Sequence, residues 1–133
     1  MATLTDKHRE FLDNPFVATV TTLRKDGSPH ETVVWIDTDN GKVVFNTAVG
    51  RAKERYLRND PRVGVMVIDP ENAYRWVSVS GKAELTTEGA DAEIDKLSKK
   101  YLGKDEYPWR NPEEQRINVR ITPERVEATG LDD

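Results

Sequence analysis

One stretch of this chain combines residue types that can hold an anion: Asn46-Thr47-Ala48-Val49-Gly50-Arg51-Ala52-Lys53-Glu54-Arg55-Tyr56-Leu57-Arg58-Asn59-Asp60-Pro61-Arg62-Val63. A hydrophobic strand ends in a small-residue turn, and a short helix opens with Gly50, Arg51 and Lys53 in its first turn. Unsatisfied backbone N–H groups and the positive end of the helix dipole lie at such a start. Of the 20 basic residues, those from Arg51 to Arg62 are crowded into one short stretch, although the chain carries a formal net charge of −4. The chemistry is that of a seat for a phosphorylated ligand. On a helical wheel Ala52, Tyr56 and Leu57 mark the buried side, while Arg51, Arg55 and Arg58 cluster on the solvated side. Lys53 falls inside the apolar arc. A lysine there needs an anionic partner, or its stem must snorkel out to water.

The rest of the chain has to position that stretch. Thr5 caps a helix from Asp6 to about Leu12, and Asn14-Pro15 stops it. Alternation predicts strands over Phe16 to Leu23 and His30 to Asp37, joined through the hairpin turn Lys25-Asp26-Gly27-Ser28. A second hairpin signal, Thr38-Asp39-Asn40-Gly41, leads into a strand from Lys42 to Thr47. Asp60-Pro61 breaks the charged helix. Val63 to Ile68 is apolar on both faces, as in a doubly covered strand. After the turn Asp69-Pro70-Glu71-Asn72, a long strand runs from Tyr74 to Leu85, with Gly81 marking a bend or bulge. Ala90, Ile94, Leu97 and Tyr101 share one face of a helix over Glu88 to Leu102, which Gly103 ends. Lys104 to Glu113 is a loop carrying Tyr107, Pro108, Trp109 and Arg110, and Gln115 to Glu127 is the last strand. Six mostly antiparallel strands and about three helices close most economically as a barrel, in one domain over residues 1–133; a sandwich is the other arrangement.

Composition narrows the function classes. With 133 residues, 33% of them charged, and no cysteine, the chain suits one ordered domain without disulfide or thiolate chemistry. Met1 to Glu10 lacks the apolar core of a secretory signal, and no run reaches membrane-spanning length, so a cytoplasmic protein without a membrane partner is expected. The negative charge argues against a nucleic-acid partner. The terminal Asp132 and Asp133 read as a solvated acidic tail. His8 and His30 are the 2 histidines, and neither has metal-ligand spacing around it. There is no Gly-rich dinucleotide motif, no Walker motif, no nucleophile elbow and no distinct acid/base pair, so no side chain is assigned a catalytic role. Such a chain borrows its reactivity from a cofactor, or catalyses nothing.

Strand, then Phe45-Asn46-Thr47, Gly50-Arg51-Ala52-Lys53, Asn59-Asp60-Pro61-Arg62-Val63 and Tyr74-Arg75-Trp76-Val77-Ser78-Val79-Ser80-Gly81-Lys82-Ala83-Glu84, resembles the pyridoxamine 5'-phosphate oxidase-like split β-barrel superfamily. Within it the chain looks like the class B flavin/deazaflavin oxidoreductases, which use coenzyme F420. The resemblance spans about residues 8 to 129. It implies a six-stranded antiparallel split barrel with two to three short helices. It also implies a homodimer with a cofactor groove between protomers, and an F420H2-dependent reductase passing hydride to a conjugated acceptor such as an activated alkene or enone. By position, Thr32, Val33 and Val34 would line the cofactor ring, with plain barrel core as the other reading for Thr32 and Val34. Asn46 and Thr47 would sit at the phosphate-proximal end, where Asn46 has the alternative of capping the helix turn. Lys53 matches the family's phosphate lysine and Arg51 lies in the same loop. Tyr74, Arg75 and Trp76 correspond to the segment that reaches the cofactor from the dimer neighbourhood, with a dimer-interface role for Trp76 and a solvated one for Arg75 as the other readings. Flavin-phosphate members carry Ser-Arg-Lys where this chain has Arg51-Ala52-Lys53. No tryptophan- and arginine-bearing substrate segment follows the last strand, which weakens a vitamin B6 oxidase reading. FMN in place of F420, a non-catalytic cofactor or tetrapyrrole carrier, and a ligand-free interaction domain remain as alternatives.

Overall fold

The computed structural model describes residues 2–131; the acidic end at Asp132 and Asp133 lies outside them. Helix α1 (Asp6–Leu12) starts at a capping box: the His8 backbone N–H donates to Thr5 Oγ1, and the His8 ring accepts from the Thr5 N–H. Strands β1 (Ala18–Leu23) and β2 (Pro29–Val34) pair through a turn in which Asp26 accepts from the backbone and hydroxyl of Ser28. Strands β3 (Asp37–Asp39) and β4 (Lys42–Ala48) pair through Asn40 and Gly41, both at positive φ, as the tight mirror-image hairpin turn requires. Helix α2 (Ala52–Asn59) leads to β5 (Arg62–Asp69) and the 15-residue β6 (Asn72–Thr86). Helix α3 (Ala90–Leu102) and a loop over residues 103–115 precede β7 (Arg116–Thr129).

All pairings are antiparallel, in the order β2-β1-β5-β6-β7-β4-β3. The sequence pattern predicts six strands and closure. The sheet instead has 7 strands and stays open, a split-barrel-like arrangement with β2 and β3 at its two ends. The seventh strand arises because the segment read as His30 to Asp37 is interrupted at Trp35 and Ile36. There the backbone leaves the ladder and is satisfied by side chains of α3. The Ile36 N–H donates to Tyr101 Oη (3.2 Å), and the Ile36 carbonyl accepts from Lys100 Nζ (2.8 Å). Lys100 also donates to the Leu12 carbonyl and Tyr101 to that of Phe16. Trp35 stacks on Tyr101 with ring centroids 5.4 Å apart.

The core lies inside the curl of the sheet. Val20, Ile36, Val43, Phe45, Val77, Val79, Val119 and Ile121 are fully buried, and Phe11 and Leu12 of α1 plug one end. Side chains of this size contribute roughly 1.5–3 kcal/mol each relative to exposure. Among the described residues no helix is long and apolar enough to cross a membrane.

The other tie between α3 and β3 is ionic. Lys96 Nζ lies 2.7 Å from Asp37 Oδ2, and Glu93 is drawn up against the same carboxyl. Burial, the Asp37 hydrogen bond and its charge push the Glu93 carboxyl up to about 7. Burial opposes ionisation of Asp37 too, but its bonds to Lys96 and Glu93 outweigh that and hold it below its ordinary value. The folded chain therefore grips the Glu93 proton more tightly than the unfolded chain does. That stabilisation is whole below the unfolded value of 4.5 and is lost as pH rises through about 7. Glu93→Gln keeps a neutral side chain at every pH. Relative to it, the wild-type chain is expected to lose roughly 1–2 kcal/mol between about pH 5 and pH 8, with allowance for screening at this half-buried site. Thermal melts of both proteins across that range check the expectation; parallel curves would contradict it.

Candidate functional site

The cationic stretch and the helix α3 face meet at one cavity of about 230 Å³. Its walls come from both ends of the sheet: Val33 and Val34 from β2, Asn46 and Thr47 from β4, and Arg116 from β7. Arg51 and Lys53 enter from the start of α2, and Ile94 and Leu97 from α3. Trp35, Tyr107 and Trp109 supply aromatic surface.

Lys53 is half-buried, and its ammonium donates to Thr32 Oγ1 at 3.2 Å. Among the described residues it makes no ion pair, and no carboxylate of the described chain meets it. Burial, then the nearby charges of Arg51 and Arg116, pull its pKa down from the ordinary lysine value. The helix bearing it begins at Ala52, with Arg51 as its extended N-cap residue, so Gly50 lies in the preceding turn and not in the first turn of the helix as the pattern indicates. Leu57 is buried and Ala52 and Tyr56 are half-buried, as the wheel predicts. Glu54 is the exception. It is buried, and its carboxylate accepts from the Gly50 N–H (2.9 Å) and from Arg58 Nε. The Gly50 N–H bond, more than the Arg58 contact, holds the Glu54 pKa low. This carboxylate braces the turn that presents Arg51 and Lys53.

Arg116 was not singled out by the sequence. Only 9% of its side chain is exposed; Nε donates to Asn46 Oδ1 (2.7 Å), and the guanidinium lies 5.5 Å from the Tyr107 ring centre. Asn46 Nδ2 donates in turn to Asn118 Oδ1 and the Ala90 carbonyl. Asn46 is therefore a buried bracket between β4, β7 and α3, and it does not cap the turn of α2. Nη1 of Arg116 is buried without a hydrogen-bond partner, its nearest carboxylate being Glu114 Oε1 at 3.6 Å. Burial holds the Arg116 pKa below its ordinary value. A cationic cavity wall with an unsatisfied buried donor fits a phosphate or carboxylate ligand.

Of the sequence-selected residues, Val33, Val34, Asn46, Thr47, Arg51 and Lys53 line the cavity, and Thr32 stands behind Lys53. Tyr74, Arg75 and Trp76 do not line it. Tyr74 is 83% exposed, Arg75 pairs with Asp69 and lies over the Phe11 ring, and Trp76 sits between Ile68 and Thr129 in the sheet. His30 packs edge-on against Tyr56. Among the described residues no group of His, Cys, Asp or Glu side chains is placed to hold a metal.

The fold is an open, antiparallel split-barrel-like sheet with a cation-lined, aromatic-walled cavity beside α2. The sequence matches the Pyridoxamine 5'-phosphate oxidase family over residues 4–130, and the chain belongs to it. It is 29% identical over 126 residues to the F420H(2)-dependent biliverdin reductase of Mycobacterium tuberculosis, covering 92% of this chain and 86% of that protein. A solved F420 reductase is 27% identical, with a TM-score of 0.78 over 90% of this chain and 94% of the other. A putative pyridoxamine 5'-phosphate oxidase from Listeria innocua, 20% identical with a TM-score of 0.71 over 92% and 95%, shares the fold.

Proposed function

We propose that this chain is an oxidoreductase using the deazaflavin coenzyme F420, with a conjugated small molecule as hydride acceptor. The observation that carries the reading is Lys53, half-buried without an ion-pair partner among the described residues and opening with Arg51 and Arg116 into one aromatic-walled cavity. The kinship to an F420H(2)-dependent biliverdin reductase and an F420 reductase supports it.

When bound, the deazaflavin supplies a hydride from the carbon that replaces the reactive nitrogen of flavin. Everything else is the work of this chain. Lys53 and Arg51 bind the cofactor phosphate through charge-assisted hydrogen bonds, with Arg116 beside them. Asn46 and Thr47 form the floor at that end. Val33, Val34 and Trp35 present a flat, largely apolar wall, and the backbone of β2 offers hydrogen bonds to the polar edge of a ring. Tyr107 and Trp109, in edge-to-face contact with each other, add aromatic surface on which a flat acceptor can be held beside the hydride donor. Solvent can deliver the proton that completes reduction, so the reaction does not require a side-chain acid.

The cytoplasm is the setting that suits a cysteine-free chain of this kind. The outer face of the sheet carries Val17, Val33, Ile68 and Tyr74 exposed, with Trp76 among them. A second copy of the chain is the occupant we propose for that face. Sedimentation velocity should give twice the 15.1 kDa chain mass, and a charge on that face, Ile68→Glu, should shift the mass to that of the monomer; a monomeric wild type would contradict the assignment.

The central test is a pair of fluorescence titrations, with oxidised F420 and with FMN. Trp35 and Trp109 line the cavity and report its occupation. Quenching by F420 at concentrations where FMN is silent is the expected outcome. Preference for FMN would make the chain a flavin reductase or oxidase, and binding without turnover of any acceptor would make it a carrier.

A further inference from the structure

A carboxylate just outside the cavity, Glu114, competes for its cations: it lines the adjoining pocket, which shares Ile94, Tyr107 and Arg116 with the cavity. Arg51 Nη2 donates to Glu114 Oε2 in an ion pair that joins the start of α2 to the end of the 103–115 loop. The other oxygen of the same carboxylate stops 3.6 Å from Arg116 Nη1, too far to satisfy it. The two arginines differ in freedom. Arg116 is fixed by Asn46 and the Tyr107 ring and is 9% exposed, whereas the Arg51 side chain is 56% exposed and held by Glu114. The Glu114 backbone is pinned independently: its N–H donates to the Asn111 carbonyl, and the next carbonyl, of Gln115, accepts from Val49. Only side-chain torsions need change to release the carboxylate. Arg110, on the same loop, is already paired with Asp91 and Asp95 and is not available to replace it.

We propose that Glu114 is an internal counter-ion that occupies Arg51 until an anionic ligand displaces it, and so sets the affinity of the cavity. This rests on the reading of the cavity as a cofactor-phosphate seat. In the ligand-free chain Glu114 pairs with Arg51 and lies near Arg116, which limits the repulsion of those two guanidinium groups, while Lys53 beside them has no ion pair among the described residues. An incoming phosphate meets Lys53 and Arg51 and reaches the unsatisfied Nη1 of Arg116. The price is the broken Arg51–Glu114 pair. Affinity is thereby kept below what three cations alone would give, which favours release as well as capture.

The test compares wild-type protein with Glu114→Gln, using oxidised F420 in fluorescence titrations and inorganic phosphate in thermal-shift measurements. Removing the competing charge should tighten F420 binding by roughly threefold to fivefold, the scale of a partly exposed ion pair. The ligand-free melting temperature should fall while the rise induced by phosphate grows. Both differences should shrink at high salt. Weaker or unchanged binding of both anions would overturn the proposal and make Glu114 a group that merely positions Arg51. If F420 fails to bind wild-type protein while phosphate protects the variant more strongly, the counter-ion role stands and the cofactor reading falls. Protection of neither protein by either anion overturns the proposal. Glu114→Asp, which keeps the charge but shortens its reach to Arg51, decides the matter if the glutamine variant does not fold: tighter phosphate and F420 binding supports it and weaker binding opposes it.

Discussion

Lys53→Ala is expected to weaken F420 binding by tenfold or more while leaving the ligand-free protein as stable as before, or slightly more so. Charge-assisted hydrogen bonds contribute roughly 1.5–3 kcal/mol, which is the tenfold step or beyond. The absence of a stability loss follows from the surroundings of the ammonium. Burial and the charges of Arg51 and Arg116 already work against it, and a Thr32 hydroxyl is its hydrogen-bond partner. Most lysines at half-buried positions would show the opposite pairing of effects, because they are there to satisfy a carboxylate. Arg55→Ala is the control, since Arg55 is exposed on the same helix and does not line the cavity. Titration and melting of the three proteins check both halves of the expectation. An unchanged dissociation constant for Lys53→Ala would remove the foundation of the functional reading.

Gly81→Ala should act on the fold and lower stability by about 3 kcal/mol, roughly 10 °C in Tm for a chain of this size. Gly81 marks a register shift on β6, where Ser80 faces Arg125 and Gly81 faces Pro123. A Cβ at this position would lie 1.9 Å from the Thr122 carbonyl oxygen and 3.1 Å from the Glu124 nitrogen. Those neighbours are backbone atoms and cannot rotate aside, so β6 and β7 would have to part. This pair carries the longest ladder in the sheet, from Trp76 opposite Thr129 to Thr86 opposite Asn118. At Gly64 on the neighbouring strand the nearest atom to a new Cβ is Ser80 Cβ at 3.8 Å, so Gly64→Ala is the comparison that should melt near wild type. Equal melting temperatures for the two variants would refute the steric argument.

The elements themselves were legible because period and punctuation agree along most of the chain. Alternation found β1, β4, β6 and β7 to within a few residues, and the Gly81 bulge was visible as a lone glycine in an otherwise regular strand. The apolar run Val63 to Ile68 located β5, but not as a doubly covered strand: Val63, Val65 and Val67 are buried in the core while Gly64 and Met66 are half-buried and Ile68 is exposed on the other face. The break at Trp35–Ile36 was not legible, since it depends on bonds from Lys100 and Tyr101, side chains far along the sequence. The cationic half of the site could be read from Arg51 and Lys53, whose crowding in an acidic chain is a local signal. Arg116 and Asn118 escaped because alternation assigns every second residue of β7 to water. The first residues of that strand are instead buried on both faces, with the core on one side and α3 packed on the other. Glu54 escaped for a related reason: on the helical wheel it falls beyond Leu57 on the side of Arg58, and such a carboxylate reads as solvated until the Gly50 N–H it accepts from is in view. Tyr74 is exposed, Trp76 lies beside Ile68, and Arg75 turns to Phe11 of α1, so none of the three lines the cavity, and the segment's place in the chain carried no signal of that.

The placement of β2 and β4 near opposite ends of the open sheet gives the cavity a thermodynamic character of its own. No autonomous fragment of the chain holds all its walls, so the pocket cannot survive the loss of either flank. Occupancy then protects the entire polypeptide at once, by RT ln(1 + [L]/Kd), and a saturating ligand should slow protease nicking at sites remote from it as much as at its rim.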